Sequence, residues 1–481
     1  MAGTVIVAFK NFLWRFAERS GAQIIQFVVF ILLARILEPE AFGTIALLMV
    51  FIAVLQVFIN SGFGTALIQK KDTDDTDFSS VFYFNISMCI FLYVLMFFSA
   101  PFIASFYKDL SLIPLIRVLA LLFIISGVRN IQQAYVSKNM LFKKFFFSTL
   151  GGTIISALIG VGMAYKGYGV WALVIQAVTK EAIDTLILWV TVDWRPKLLF
   201  SLERLKGLFS FGWKMLISGL IDTVYNNLRQ LIIGKMYTRI DLAFYNKGNA
   251  IPNLVITNIN SSISSILLPV MSKEQDNIEK VKNITRKSIQ LSTYIIAPIM
   301  VGMGVTSYSF VPLLLTEKWL PCIPFLWVFC FTYTFYPIHT ANLSAIQALG
   351  RSDLFLKLEI IKKAVGLIVL VSTMWYGVMV MAYSLLLVSV ISQIINSWPN
   401  KKLLNYGYLQ QLKDIMPNIV LALFAGFCMY LVSFLNLGLI STFITQIFVG
   451  YIVYVGISFI LKIETFEYIL NILMNLLKKK K

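Results

Sequence analysis

Ala34-Arg35-Ile36-Leu37-Glu38-Pro39-Glu40-Ala41-Phe42-Gly43 is the stretch whose pattern decides the fold. A cation ends one long apolar segment, an acidic turn follows around Pro39, and Ala41-Phe42 opens the next apolar segment. The same order returns at Gly234-Lys235-Met236-Tyr237-Thr238-Arg239-Ile240-Asp241-Leu242-Ala243-Phe244-Tyr245, with a two-residue gap. Both turns join segments of bilayer-crossing length, which takes about 20 apolar residues each. They therefore read as inter-helix turns of a repeated membrane unit.

Composition extends that reading to the whole chain. Of 481 residues 58% are hydrophobic and 13% charged, and the mean hydropathy is +0.80. A soluble domain carries about 25% charged residues, so this chain cannot clothe a water-facing surface. No stretch of ordinary polarity exceeds roughly 15 residues, which excludes a large soluble catalytic domain along with disorder and fibres. Cys89, Cys322, Cys330 and Cys428 lie in or beside apolar segments without CxxC or His/Cys spacing, so they read as buried apolar side chains, not metal or redox sites. No small-residue cleavage site follows the first apolar run, so no cleavable signal peptide is expected.

Apolar runs between polar breaks give about fourteen spans, at 17–37, 41–64, 78–99, 112–134, 147–166, 170–192, 208–235, 247–271, 284–307, 321–347, 355–376, 378–398, 415–435 and 439–461. Pro321, Pro324 and Pro337 are expected to kink the tenth. With the N-terminus cytoplasmic, the outer segments hold only Arg35, Lys108, Lys166, Lys235, Arg239, Lys247 and Lys318, while roughly thirty basic residues fall inside. That bias supports an even number of crossings with both ends in the cytoplasm. It also explains the formal charge of +18 as lysine and arginine facing anionic headgroups. Nucleic acid is excluded as a partner because these residues are scattered over eight short segments.

Six spans separate the two related turns, so the helices before them point the same way. The expected fold class is an all-α polytopic membrane protein. Its six-helix lobes are 1–205 and 206–405, related by an axis along the membrane normal, with two further helices and a basic tail at 406–481. This is a transporter-type arrangement.

Polar residues inside spans are expensive, about 2.5–3.5 kcal/mol for a charge at the centre, and they form helix-face stripes here. Arg15, Arg19, Gln23 and Gln26 share one face of the first span, and Ser218, Asp222, Asn226 and Arg229 one face of the seventh. Asn249, Asn253, Thr257, Asn260 and Ser264 line the eighth, and Gln56 and Asn60 the second. Two readings stay open: a hydrated cavity between lobes, or interhelical hydrogen bonding. Arg229 is either a ligand-binding cation or partner to Asp222 across about 10 Å, and Arg15 and Arg19 line the cavity or snorkel to headgroups. On the sixth span Gln176, Lys180 and Asp184 share a face, so Lys180 and Asp184 can pair within the helix. Glu181 and Asp184 are the candidates for ion coupling. Arg117 and Arg129 of the fourth span meet an anion or sit near its ends, and His339 is a hydrogen bonder or a proton switch.

Enzyme signatures are absent: no P-loop, GxSxG, HExxH or paired loop carboxylates occur. The cluster Asp72, Asp74, Asp75 and Asp77 reads as a solvated loop and helix N-cap, leaving no cofactor and no metal expected.

Leu33 to Gly43, followed by Asn60-Ser61-Gly62-Phe63-Gly64-Thr65-Ala66-Leu67-Ile68-Gln69, resembles the polysaccharide flippases of the O-antigen, teichuronic-acid and colanic-acid exporter type. That superfamily also holds multidrug antiporters and the lipid II flippase. Ala100-Pro101-Phe102-Ile103-Ala104 with Phe106-Tyr107, Trp171-Ala172-Leu173-Val174, Pro269 to Gln275 and Glu317-Lys318-Trp319 extend the resemblance over nearly the whole chain. It implies fourteen helices and alternating-access export of a polyprenyl-diphosphate-linked oligosaccharide across the bacterial cytoplasmic membrane. Membrane lipids, a polysaccharide polymerase and chain-length machinery are the implied partners. Arg229, helped by Arg15, Arg19 or Arg35, would hold the diphosphate. Gln23 and Gln26 stand where the lipid II branch has arginines, which argues against lipid II as substrate. Two rivals remain: a cation-coupled multidrug antiporter, whose cavity would be carboxylate-rich, and a membrane-embedded polymerase or transferase, which would need a large outer loop.

Overall fold

The computed structural model describes residues 2–59, 63–70, 72–435 and 437–478; Met1, Asn60, Ser61, Gly62, Lys71, Asn436 and Lys479 to Lys481 lie outside the described residues. All regular structure in that set is helical. The elements are α1 (Ala2–Ile36), α2 (Pro39–Ile59), α3 (Phe63–Gln69), α4 (Asp75–Phe106), α5 (Leu112–Leu119), α6 (Leu121–Lys138), α7 (Phe142–Tyr165), α8 (Val170–Thr191), α9 (Leu202–Met236) and α10 (Arg239–Lys273). They continue through α11 (Ile278–Val305), α12 (Ser307–Leu315), a 3₁₀ turn (Glu317–Cys322), α13 (Ile323–Thr334), α14 (Tyr336–Ala348), α15 (Ser352–Thr373), α16 (Val378–Leu403), α17 (Tyr408–Leu431), a second 3₁₀ turn (Val432–Leu435), α18 (Leu439–Ile460) and α19 (Glu464–Lys478). A helix satisfies its own backbone donors and acceptors, which hydrocarbon demands and water does not.

Among the described residues, 11 helical segments are long and apolar enough to cross a membrane. The chain is a multi-pass membrane protein. Helices α8, α9 and α15, of 22, 35 and 22 residues, have the length to cross but are interrupted by charged and amide side chains and are not among the 11. The tenth expected span is broken, α13 ending and α14 beginning at Phe335 with Pro337 in the first turn of α14. The fourth expected span is found as the segment Leu112–Lys138, within which α5 and α6 meet at Ala120.

The related turns are matched in structure. Helices α1 and α9 each run 35 residues and each gives way after two residues to the next helix.

The chain divides into two compact units, Met1–Ala243 and Phe244–Lys481. In the first, α7 packs along α8 and α1, α4 along α6, and α2 along α9. Small residues permit the close approach of α7 and α8: a Cβ at Gly152 would stand 2.9 Å from the Lys180 carbonyl oxygen. Phe123, Leu119, Ile116 and Leu48 form the apolar centre of this unit.

In the second unit α11 packs on α17, α17 on α18, and α16 on α14 and α15. Its centre includes a knot of buried amides. Asn342 donates to Gln411 Oε1 at 2.8 Å, Gln411 donates back to Asn342 Oδ1 at 3.0 Å, and Asn400 donates to Asn342 Oδ1 at 2.6 Å. With the Ser397 hydroxyl donating to Gln411 Oε1 at 3.0 Å, α14, α16 and α17 are tied together by buried polar bonds.

Candidate functional site

The α1 stripe is anchored from one side by a residue that sequence periodicity did not single out. Arg15 pairs with Glu18 at 2.6 Å, and Glu18 also accepts a 3.2 Å hydrogen bond from Thr149 of α7. The Arg15 guanidinium lies 4.9 Å over the Phe145 ring, so it is tied into the α1–α7 seam. Arg19 and Arg35 are exposed, Gln23 is half-buried, and Gln26 is exposed at the mouth of a cavity.

That cavity, of about 460 Å³, lies among α1, α2, α7 and α8. Its polar lining is Gln26, Thr153, Ser156, Gln176 and Lys180. Beside it sits a charge cluster. Arg129 of α6 pairs through Nη1 with Glu181 at 2.5 Å and with Asp184 at 2.9 Å. The in-helix pairing of Lys180 with Asp184 is therefore not formed: the guanidinium from the next helix takes Asp184, and Lys180 stands 3.7 Å from Glu181 instead. A bidentate-capable cation across a helix seam outcompetes an i,i+4 pair worth only a few tenths of a kcal/mol. Both candidates for ion coupling thus share one arginine. The anion that Arg129 meets belongs to the chain itself, whereas Arg117 lies 4.1 Å over the Phe97 ring.

On α9, Asp222 and Asn226 are exposed, while Arg229 is buried to 9% exposure. The α10 stripe finds partners on α13 and α14 that the sequence reading missed. The Tyr333 hydroxyl donates to Asn249 Oδ1 at 2.7 Å and to Asn253 Oδ1 at 3.4 Å, and Thr340 donates to Asn260. Part of this stripe is thus engaged by hydrogen bonds, while Asn253, Thr257 and Asn258 keep exposed surface.

His339 sits against the Asn396 amide at 2.9 Å and edge-on to the Tyr336 ring, the setting of a hydrogen-bonded side chain.

The acidic cluster before α4 is more ordered than a solvated loop. Asp74 caps α4, accepting from the Asp77 amide at 2.9 Å, and Asp77 returns the bond at 3.3 Å. Lys70 holds the fully buried Asp77 at 2.7 Å, Lys197 holds Asp75 at 2.5 Å, and Arg204 holds Asp74 at 2.5 Å. The Arg204 hydrogen bond keeps the Asp74 carboxyl below its usual range. No metal-binding group of carboxylates, His and Cys occurs among the described residues.

A third polar assembly lies where α9 turns into α10. Lys235 donates to the Phe106 carbonyl and stands 3.8 Å over the Phe106 ring. Arg239 pairs with Asp109 and donates to the Thr44 hydroxyl at 3.4 Å. Gly43 faces the Arg239 carbonyl so closely that a Cβ there would stand 1.8 Å from the oxygen. The Ala-Phe-Gly of the opening motif is thus a contact between the two related turns.

A family model described as polysaccharide biosynthesis protein matches residues 32–324. The chain is 26% identical over 393 residues to the teichuronic acid biosynthesis protein TuaB of Bacillus subtilis (strain 168), covering 80% of each. It is 25% identical over 349 residues to the lipopolysaccharide biosynthesis protein WzxC of Escherichia coli (strain K12), covering 71% of this chain and 69% of that one. In fold it is similar to the lipid II flippase MurJ in an inward closed conformation, with a TM-score of 0.75 and 15% identity over 95% of this chain and 98% of that one.

Proposed function

The chain belongs to the polysaccharide biosynthesis protein family, and from that premise we propose that it is a flippase carrying polyprenyl-diphosphate-linked oligosaccharide units across the bacterial cytoplasmic membrane for surface polysaccharide assembly. The observation that carries the reading is the family match over 32–324, borne on a multi-pass helical fold similar to that of a lipid-linked-sugar flippase. The relatives in teichuronic acid and lipopolysaccharide biosynthesis point to the same class of cargo.

In this reading α8, α9 and α15 join the 11 apolar segments to give fourteen crossings, with both termini cytoplasmic. Residues 1–205 and 206–405 are the two lobes, and 406–481 the appended helices. Arg229 holds the diphosphate with help from Arg15, Arg19 or Arg35, since guanidinium and phosphate make bidentate, charge-assisted hydrogen bonds. Gln23, Gln26, Asp222, Asn226, Asn249 and Asn253 bind sugar hydroxyls. Glu181 and Asp184, two carboxylates sharing Arg129, are the place where a proton or small cation couples to transport. The chain moves its cargo without altering it chemically, and passes it to a polymerase and chain-length machinery outside.

The test uses a deletion strain and a membrane-impermeant label that reads lipid-linked oligosaccharide by leaflet. Completed units trapped on the inner leaflet, with surface polymer missing, are the expected result. Units that reach the outer leaflet at the normal rate would overturn the proposal and favour the antiporter or the polymerase.

A further inference from the structure

We propose that the cavity among α1, α2, α7 and α8 is a subsite for a sugar residue bearing a carboxylate, with Lys180 as the group that reads the charge. The inference deepens the flippase reading and rests on it for taking the ligand to be a sugar.

At about 460 Å³ the cavity lies within the roughly 300–1,000 Å³ typical of small-ligand sites. Its polar atoms suit hydroxyl groups. The Thr153 and Ser156 hydroxyls donate to the carbonyls of Thr149 and Thr153 at 2.6 and 3.0 Å, so their oxygens are left to accept. The Gln26 and Gln176 amides make no hydrogen bond to another described side chain or backbone group, and each offers both a donor and an acceptor. Gln176 is held in place from behind, since a Cβ at Gly160 would stand 2.9 Å from its Cγ. Phe30 and Phe42 supply apolar wall for the C–H face of a pyranose.

The charges say which sugar. The formal charges of Arg129, Lys180, Glu181 and Asp184 sum to zero. Arg129 donates a hydrogen bond to Asp184 at 2.9 Å and forms an ion pair with Glu181 at 2.5 Å. Lys180, 30% exposed and 3.7 Å from Glu181, is balanced in charge but lies beyond hydrogen-bond reach of that carboxylate. Its ammonium can therefore donate into the cavity without leaving a carboxylate unpaired. One such cation, with Glu181 and Asp184 close behind it, can exchange its 3.7 Å contact with Glu181 for a hydrogen bond to one ligand carboxylate. A diphosphate carries more than one negative charge, and the second would meet two carboxylates at short range. The geometry selects an acidic sugar over the diphosphate headgroup.

The experiment uses the full-length protein in lipid nanodiscs and isothermal titration with three probes: a free disaccharide containing one hexuronic acid, its neutral hexose counterpart, and inorganic pyrophosphate. Wild type is expected to prefer the acidic disaccharide by about tenfold or more, the scale of one charge-assisted contact. Lys180→Met should abolish that preference, Lys180→Arg should keep most of it, and Gln176→Ala should weaken both disaccharides alike. The proposal fails if wild type binds both disaccharides equally or neither at millimolar concentration. It also fails if pyrophosphate displaces the acidic disaccharide preferentially, or if Lys180→Met, folded by its thermal unfolding profile, keeps the preference. Should Lys180→Met not fold, the probe preferences and the Lys180→Arg and Gln176→Ala comparison decide alone. Binding of free sugar needs no transport. Selective binding without flipping in the deletion-strain assay would therefore remove the flippase and keep the subsite, and normal flipping without selectivity would do the reverse.

Discussion

At the scale of single residues, the strongest expectation concerns Arg229, a cation buried to 9% exposure on a helix whose neighbouring polar residues are exposed. Arg229→Ala is expected to lower flipping of lipid-linked units by at least about tenfold, the equivalent of 1.4 kcal/mol or more of lost charge-assisted binding, while the protein still inserts to normal levels. Leaflet labelling beside a membrane-fraction blot checks both halves, and wild-type flipping by the variant would remove Arg229 from the site. Asp74 gives a pH expectation. Its carboxyl is held below the usual range by the Arg204 hydrogen bond. The clasp between the start of α4 and the start of α9 is then fully present above the unfolded carboxylate value of about 3.9. It is lost as pH falls through the lower folded value. Thermal unfolding of wild type and Asp74→Asn should differ at pH 6, and the difference should shrink as pH falls below about 3.9; a constant difference would show that Asp74 acts only as a neutral cap. Helix-face spacing grouped Gln26 with the α1 stripe, and on the sixth span singled out Glu181 and Asp184. It could not pair Arg129 with the last two, because that bond crosses from α6 to α8 and helical periodicity knows only its own helix. Glu18 was within reach of the sequence as the i+3 neighbour of Arg15, but it lies off the polar stripe and was passed over.

At the scale of elements, the two related turns illustrate both success and failure of pattern reading. The cation, acidic turn and Ala-Phe signature located the first junction closely, whereas α10 already begins at Arg239, ahead of the Ala243-Phe244 expected to open it. The signature did not reveal that Gly43 of one turn lies against the Arg239 carbonyl of the other, because contact between distant segments leaves no local trace. A methyl at Gly43 would meet backbone, which cannot rotate away as a side-chain tip can. Gly43→Ala should therefore cost about 1–3 kcal/mol in overpacking. Gly162→Ala in α7, where a Cβ meets nothing within 4 Å, should be neutral or stabilising by up to about 1 kcal/mol. Unfolding midpoints in detergent test the pair, and equal midpoints would show that the turns can separate freely. The amide knot of α14, α16 and α17 makes a second case. Asn342→Leu removes bonds to Gln411 and Asn400 and leaves their polar groups buried. Each membrane hydrogen bond contributes about 0.6 kcal/mol and each stranded group costs about 1–3, so a net loss of about 2–4 kcal/mol is expected. A midpoint unchanged from wild type would mean that water reaches the knot. The break at Phe335 was legible because proline marks it, and the break at Ala120 was not, because Leu112–Lys138 holds no proline or glycine near that position.

At the scale of the whole molecule, three helices decide the topology. α8, α9 and α15 are long enough to cross but carry charges inside their length, so hydropathy alone leaves them out of the 11 apolar segments. In the proposed topology all three cross, because losing any one would invert every loop after it and mix basic with neutral segments. The energetics permit it. Glu181 and Asp184 of α8 are neutralised by Arg129, and Lys362 of α15 pairs with Glu359 at 2.5 Å, so little unpaired charge enters the bilayer. Single cysteines distinguish the cases in a background where Cys89, Cys322, Cys330 and Cys428 are alanine. Lys166, Asp193, Arg351 and Tyr376 are all exposed and flank α8 and α15. With the N-terminus inside, cysteine at 166 or 376 should react with an impermeant maleimide in intact cells. Cysteine at 193 or 351 should react only after permeabilisation. A cysteine in place of Tyr237, at the α9–α10 turn, should react from outside and so report on α9. Labelling of positions 166 and 193 from the same side would mean that α8 does not cross, and the two-lobe symmetry built on an even count would go with it.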